Sequence, residues 1–110
     1  INMEQNIETI KTAISKLVKL FIPDGITDID FDITKNSGDW YSMRITYVVP
    51  DDSEFLTKKH YDNLSRYYSM WNEKIKKGLR NYLDIKAIVN QTGITSQSFY
   101  EKEKQWQAKN

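Results

Sequence analysis

Three carboxylates at alternate positions, Asp28, Asp30 and Asp32, are the residues of this chain whose spacing most suggests chemistry. On an extended strand, alternate side chains share one face and stand about 6.6–6.8 Å apart. Such a row could hold a divalent cation, divide the roles of general acid and base, or present a negative surface to a basic partner. The cation is poorly served, because a flat strand cannot wrap it and the glycine and closing glutamate of a calcium loop are missing. His60 is the only histidine. No second His or Cys makes a zinc site with it and no Ser/Asp set makes a triad, so it reads as an ordinary residue in the first turn of a helix. The chain has no cysteine, which excludes disulfides, thiolate metal sites and Cys nucleophiles and fits a reducing, cytoplasmic setting. Gly25, Gly38, Gly78 and Gly93 are isolated, so no glycine-rich phosphate loop is formed. The expectation is a non-catalytic protein with no metal and no cofactor.

The acidic row needs an element to position it, and the sequence supplies one. Ile29, Phe31 and Ile33 alternate with the aspartates, and Trp40 to Val49 continues in aromatic and β-branched residues after a polar connection that contains Gly38. This pattern predicts an antiparallel β-hairpin with one buried face and one wet, acidic face. A loop centred on Ser37 would set Ile33 opposite Tyr41, Phe31 opposite Met43 and Ile29 opposite Ile45. On the other face it would set Asp30 opposite Arg44 and Asp32 opposite Ser42, leaving Arg44 as the only cation among the acids.

The hairpin in turn needs helices to cover its apolar face. Ile7, Ile10, Ile14, Leu17 and Phe21 lie on one stripe of a helix over residues 3–22, with a capping box at Asn2 and Gln5 and a stop at Pro23-Asp24-Gly25. Asp51, Asp52, Ser53 and Glu54 then precede a long helix, where acids meet the N-terminal dipole favourably. Its stripe is Tyr61, Leu64, Tyr68, Trp71, Ile75, Leu79 and Tyr82, with Gly78 as a weak point. Residues 84–90 fit either a third strand or a short helix. A C-terminal helix over residues 96–108 follows, with Ser98 and Glu101 spaced as a capping box.

A length of 110 residues with 39% hydrophobic and 28% charged side chains suits one α+β domain spanning residues 1–110 and argues against disorder. No apolar run approaches the roughly 20 residues of a membrane span, and the N-terminal residues do not read as a secretory signal. The net charge of +1 conceals an asymmetry: residues 1–55 carry five Lys/Arg against ten Asp/Glu, and residues 56–110 carry eleven against five. Either the two halves attract each other within the fold, or they present surfaces of opposite potential. Lys74, Lys76, Lys77, Arg80 and Lys86, with Tyr67, Tyr68 and Trp71 upstream, could hold nucleic acid through phosphates and stacking. Tyr68 and Trp71 fall on the core stripe, however, so the lysines read better as that helix's wet face.

Two resemblances bear on function. Residues 84–100, with Ile88 and Val89, Gly93 at a turn, Ile94, Thr95 as cap and Phe99-Tyr100, resemble a bacterial helix-turn-helix. That resemblance implies a second helix in the major groove, contacting DNA through Ser96, Gln97 and Lys102. A helix closing in Phe21-Ile22-Pro23-Asp24, followed by two strands with an acidic face and an aromatic-rich second strand, is similar in architecture to small bacterial toxin-immunity proteins. It implies a non-catalytic inhibitor that binds a toxin domain tightly. The leading expectation is therefore an immunity or antitoxin protein that engages a basic partner through Asp28, Asp30, Asp32 and Arg44. The alternative is a DNA-binding protein using residues 84–107.

Overall fold

A computed structural model describes residues 3–36, 38–57 and 64–109. His60, Tyr61, Ser37 and the Asn2–Gln5 cap lie outside the residues or side chains described. The order is α1 (Met3–Val18), β1 (Asp28–Lys35), β2 (Trp40–Val49), α2 (Leu64–Leu83), β3 (Lys86–Ser96) and α3 (Gln97–Lys109), with 3-10 turns at Lys19–Phe21 and Glu54–Leu56. The α+β fold class stands as expected. The first helix is shorter than its apolar stripe suggested, because Pro23 drives the preceding residue out of helical geometry. Ile22 is extended, at φ −65° and ψ 120°. A turn follows in which the Ile26 amide donates to the Pro23 carbonyl and Gly25 takes φ +84°, a value suited to glycine.

The hairpin forms with its register two residues from the expected one. Ile33 pairs with Met43, Phe31 with Ile45 and Ile29 with Tyr47, while Asp32 faces Arg44, Asp30 faces Thr46 and Asp28 faces Val48. The pairing centres on Gly38 rather than on Ser37, and moving the centre by one residue moves every pair by two. Gly38 adopts φ +75°, and the Asn36 amide donates to the Trp40 carbonyl at 2.8 Å. Because side chains alternate with period two, a two-residue shift keeps every side chain on its expected face.

Residues 84–90 are not a short helix. They lead into an eleven-residue strand, β3, that runs parallel to β2 and continues through Gly93. The sheet is thus mixed, in the order β1-β2-β3, rather than antiparallel throughout. Parallel neighbours need a long crossover, and α2 provides it. One irregularity divides β3: Met43 pairs with Val89 but Arg44 with Gln91, leaving Asn90 as a bulge. Ala87 and Val89 face the core before the bulge, and Thr92 and Ile94 face it afterwards.

Both α1 and α2 cover one sheet face. The core joins Ile14, Leu17 and Val18 to Ile29, Ile33, Met43, Ile45, Tyr47 and Val49, and to Trp71, Ile75 and Leu79. Tyr47 is fully buried, and its hydroxyl donates to Asn72 Oδ1 at 2.6 Å; Asn72 Nδ2 donates on to Thr92 Oγ1 at 2.9 Å. This chain satisfies the polar atoms and ties β2, α2 and β3 together. Burial and the neighbouring Tyr68 push the Tyr47 phenol well above its ordinary pKa. Phe55 meets both Tyr67 and Trp71 edge-on in the same region, at 5.0 and 5.3 Å between ring centres, and Tyr67 and Trp71 are tilted against each other. Phe31 is half-buried rather than fully buried, and Tyr82 leaves the stripe, being 71% exposed. The steps 71, 75 and 79 lead on to Leu83, so Tyr82 turns outward. Gly78 also needs a different reading. It is buried, and a Cβ there would meet the Phe21 ring at 2.8 Å, so the glycine permits close approach of the turn after α1.

Candidate functional site: the acidic sheet face

Asp28, Asp30 and Asp32 lie together on the sheet face opposite α1 and α2, as the alternation of β1 requires. Asp32 reaches Arg44 across the strands, Oδ2 to Nη2 at 3.2 Å, with both side chains more than half exposed. An ion pair so open contributes little to stability. Asp28 accepts the Ile29 amide at 2.8 Å. Asp30 is bound differently, because the C-terminal helix α3 crosses this end of the face.

The α3 helix brings Tyr100 and Lys104 over the acids, one turn apart. Tyr100 is buried, as is Val48 beneath this face. The Tyr100 hydroxyl is hydrogen-bonded to Asp30, and Lys104 Nζ stands 4.6 Å from the Tyr100 ring centre. Desolvation raises the pKa of Asp30; Lys104 opposes the rise, and Asp28 and Asp32 add to it. Lys104 is itself raised, first by its hydrogen bond to Tyr100 and then by the charges of Asp28 and Asp30. Arg44 is therefore not the only cation among the acids. Lys11 of α1 and Lys19 of the 3-10 turn after it join Lys104 and the three aspartates around a groove of about 350 Å³. The remainder of the face, from Asp30 and Asp32 through Arg44 and Thr46 to Gln91 and Gly93, is a smaller depression of about 160 Å³.

Several polar contacts hold α3 in place. Asp51 accepts from the Ser98 amide at 2.9 Å and also from the Ser98 hydroxyl, and these bonds lower its pKa. The cluster after Pro50 thus serves α3 as well as the chain leading to α2, where Ser53 caps the Glu54–Leu56 turn. Ser96, not Ser98, is the N-cap of α3, accepting from the Phe99 amide at 3.3 Å. Gln97 lies 2.6 Å from the Thr27 hydroxyl and donates to Glu101 at 2.8 Å.

No protein-family model, no curated protein and no solved structure matches this chain.

The geometry does not form a helix-turn-helix. The first of the two helices it needs is replaced by β3, and the intended turn at Gly93 lies mid-strand, paired with Thr46. Of the residues assigned to DNA, Ser96 and Gln97 are engaged within the fold, and Lys102 lies near Asp51. Of the aromatic residues beside the basic stretch of α2, Trp71 is only 3% exposed, and Tyr67 and Tyr68 are half-buried against the core. Lys76 pairs with Glu73 at 3.0 Å, and Lys86 lies 5.9 Å from the Trp40 ring centre. Arg80, Lys86 and Lys35 rim a cavity of about 660 Å³, together with Asp39 and Asp84. Among the described residues no group of His, Cys, Asp or Glu is arranged to hold a metal ion, and no helix is long and apolar enough to cross a membrane.

Sequence reasoning missed Tyr100 and Lys104 as partners of the acidic row. Their signal was present in the i, i+4 spacing and in the opposite charge of the two halves of the chain.

Proposed function

We propose that this chain is a non-catalytic protein-binding module of the immunity or antitoxin type, cytoplasmic and bacterial, that neutralises a basic toxin domain. The observation that supports this reading is the row of carboxylates on a sheet face that α3 covers at one end only, leaving Asp32 and Arg44 exposed. An open carboxylate row steers a basic protein towards it and rejects acidic ones. The mixed signs around it, Arg44 on one side and Lys104 on the other, would fix the orientation of docking.

The test is capture of the partner from source cells, followed by co-expression of that partner with the wild-type chain and with a variant in which Asp28, Asp30 and Asp32 are replaced by Asn. The expected result is a basic partner that arrests growth when expressed alone. Growth should be restored by the wild-type chain and less fully by the variant. A partner with no effect on growth, or one neutralised equally by both chains, contradicts the proposal.

A further inference from the structure

Among the described residues the sheet ends in two edges with no further strand beside them, and they differ in chemistry. Edge β1 carries Asp28, Asp30 and Asp32, and a second copy of β1 laid beside it would meet like charges. Edge β3 has no such protection. From Ala87 to Tyr100 the chain contains neither a charged residue nor a proline. Among the described residues, no backbone hydrogen bond outside the ladder to β2 reaches Lys86–Ser96. The only irregularity is the bulge at Asn90, and the strand ahead of it is regular. Within that regular stretch Ile88 is 44% exposed, on the same face as Trp40, itself 45% exposed.

We propose that β3 pairs antiparallel with β3 of a second copy of this chain, about a twofold axis at Ile88, to give a continuous six-stranded sheet. The charge pattern argues for this occupant. With the axis at Ile88, the two Ile88 side chains face each other, Ala87 faces Val89 of the other copy, and Lys86 faces Asn90. No like charges meet, and an exposed isoleucine gains a cross-strand apolar partner. The pairing satisfies main-chain donors and acceptors that a lone edge offers to water. It leaves the acidic rows at the two outer edges of the sheet, so it is independent of the function proposed for them.

The absence of cysteine makes the test direct. Directly opposed residues in an antiparallel pair have Cα atoms about 4.5–5.5 Å apart, inside the span of about 4.4–6.8 Å that a disulfide bridges. Ile88→Cys should therefore oxidise readily to a covalent dimer, whereas Leu20→Cys, exposed on a different part of the surface, should not. In sedimentation equilibrium the unmodified chain should self-associate between micromolar and millimolar concentration, and Ile88→Lys should abolish this while leaving the far-ultraviolet dichroism unchanged. A wild-type chain that stays monomeric throughout overturns the proposal. So does a dimer that survives Ile88→Lys, or one in which Ile88→Cys cross-links no faster than Leu20→Cys.

Discussion

Trp71 shows how much of the fold rests on single side chains. It is nearly fully buried, and its ring lies 4.8 Å from Tyr47 and 5.3 Å from Phe55. Trp71→Ala should cost about 3–5 kcal/mol of unfolding free energy by urea denaturation; an unchanged midpoint would mean that the ring is not part of the core. Asp84 is the converse case, a residue under strain. It holds φ +53° just beyond α2, while the next amide, of Ile85, donates back to the Leu79 carbonyl at 3.1 Å. Asp84→Gly should raise stability by about 0.5 kcal/mol, and Asp84→Val should lower it by about 1 kcal/mol or more, because a β-branched side chain tolerates the left-handed region poorly. If valine is accepted as readily as glycine, the conformation is not the one described. Asp51 gives a prediction in pH. Its folded pKa is lowered by the bonds from Ser98, so its contribution is complete above the ordinary carboxylate pKa and is lost as pH falls through the folded value. The melting temperatures of wild type and Asp51→Ala should differ at neutral pH and converge in acid. A difference that persists undiminished in strong acid would contradict that role.

Among the elements, the hairpin and the two covering helices were legible in the sequence because each obeys one period throughout. Ile29, Phe31 and Ile33 alternate without a break, and Trp71, Ile75 and Leu79 recur at four. The acidic row could therefore be placed on its face even though a hairpin centre one residue further along put the pairing two residues off. The β3 strand was illegible because the bulge at Asn90 switches the core-facing parity from 87 and 89 to 92 and 94. No single period fits such a segment, and its Gly93 imitates a turn. The α3 helix was visible as a helix, but its place was not. Only Tyr100 among its residues is buried, so its sequence carries almost no apolar stripe to say which surface it covers. Its position comes instead from polar contacts, at Asp51 and at Asp30, between residues far apart in the chain. Such pairings leave no local pattern.

At the scale of the whole molecule, the two oppositely charged halves partly neutralise each other, and they do so where α3 crosses β1. Lys104 lies against Asp28 and Asp30, and Lys102 lies near Asp51. The unneutralised part of the row, around Asp32, is what remains to attract a partner. Long-range attraction of this kind acts on the rate of encounter and is screened over about 10 Å at 0.1 M salt. The measurement that tests the central claim most directly is the association rate with the captured partner as a function of ionic strength, for wild type and for the variant with Asn at 28, 30 and 32. The predicted result is a wild-type rate that falls steeply with salt, a variant rate that is about tenfold lower at low salt, and convergence of the two at high salt. Equal rates at every ionic strength would contradict the assignment of this face to binding.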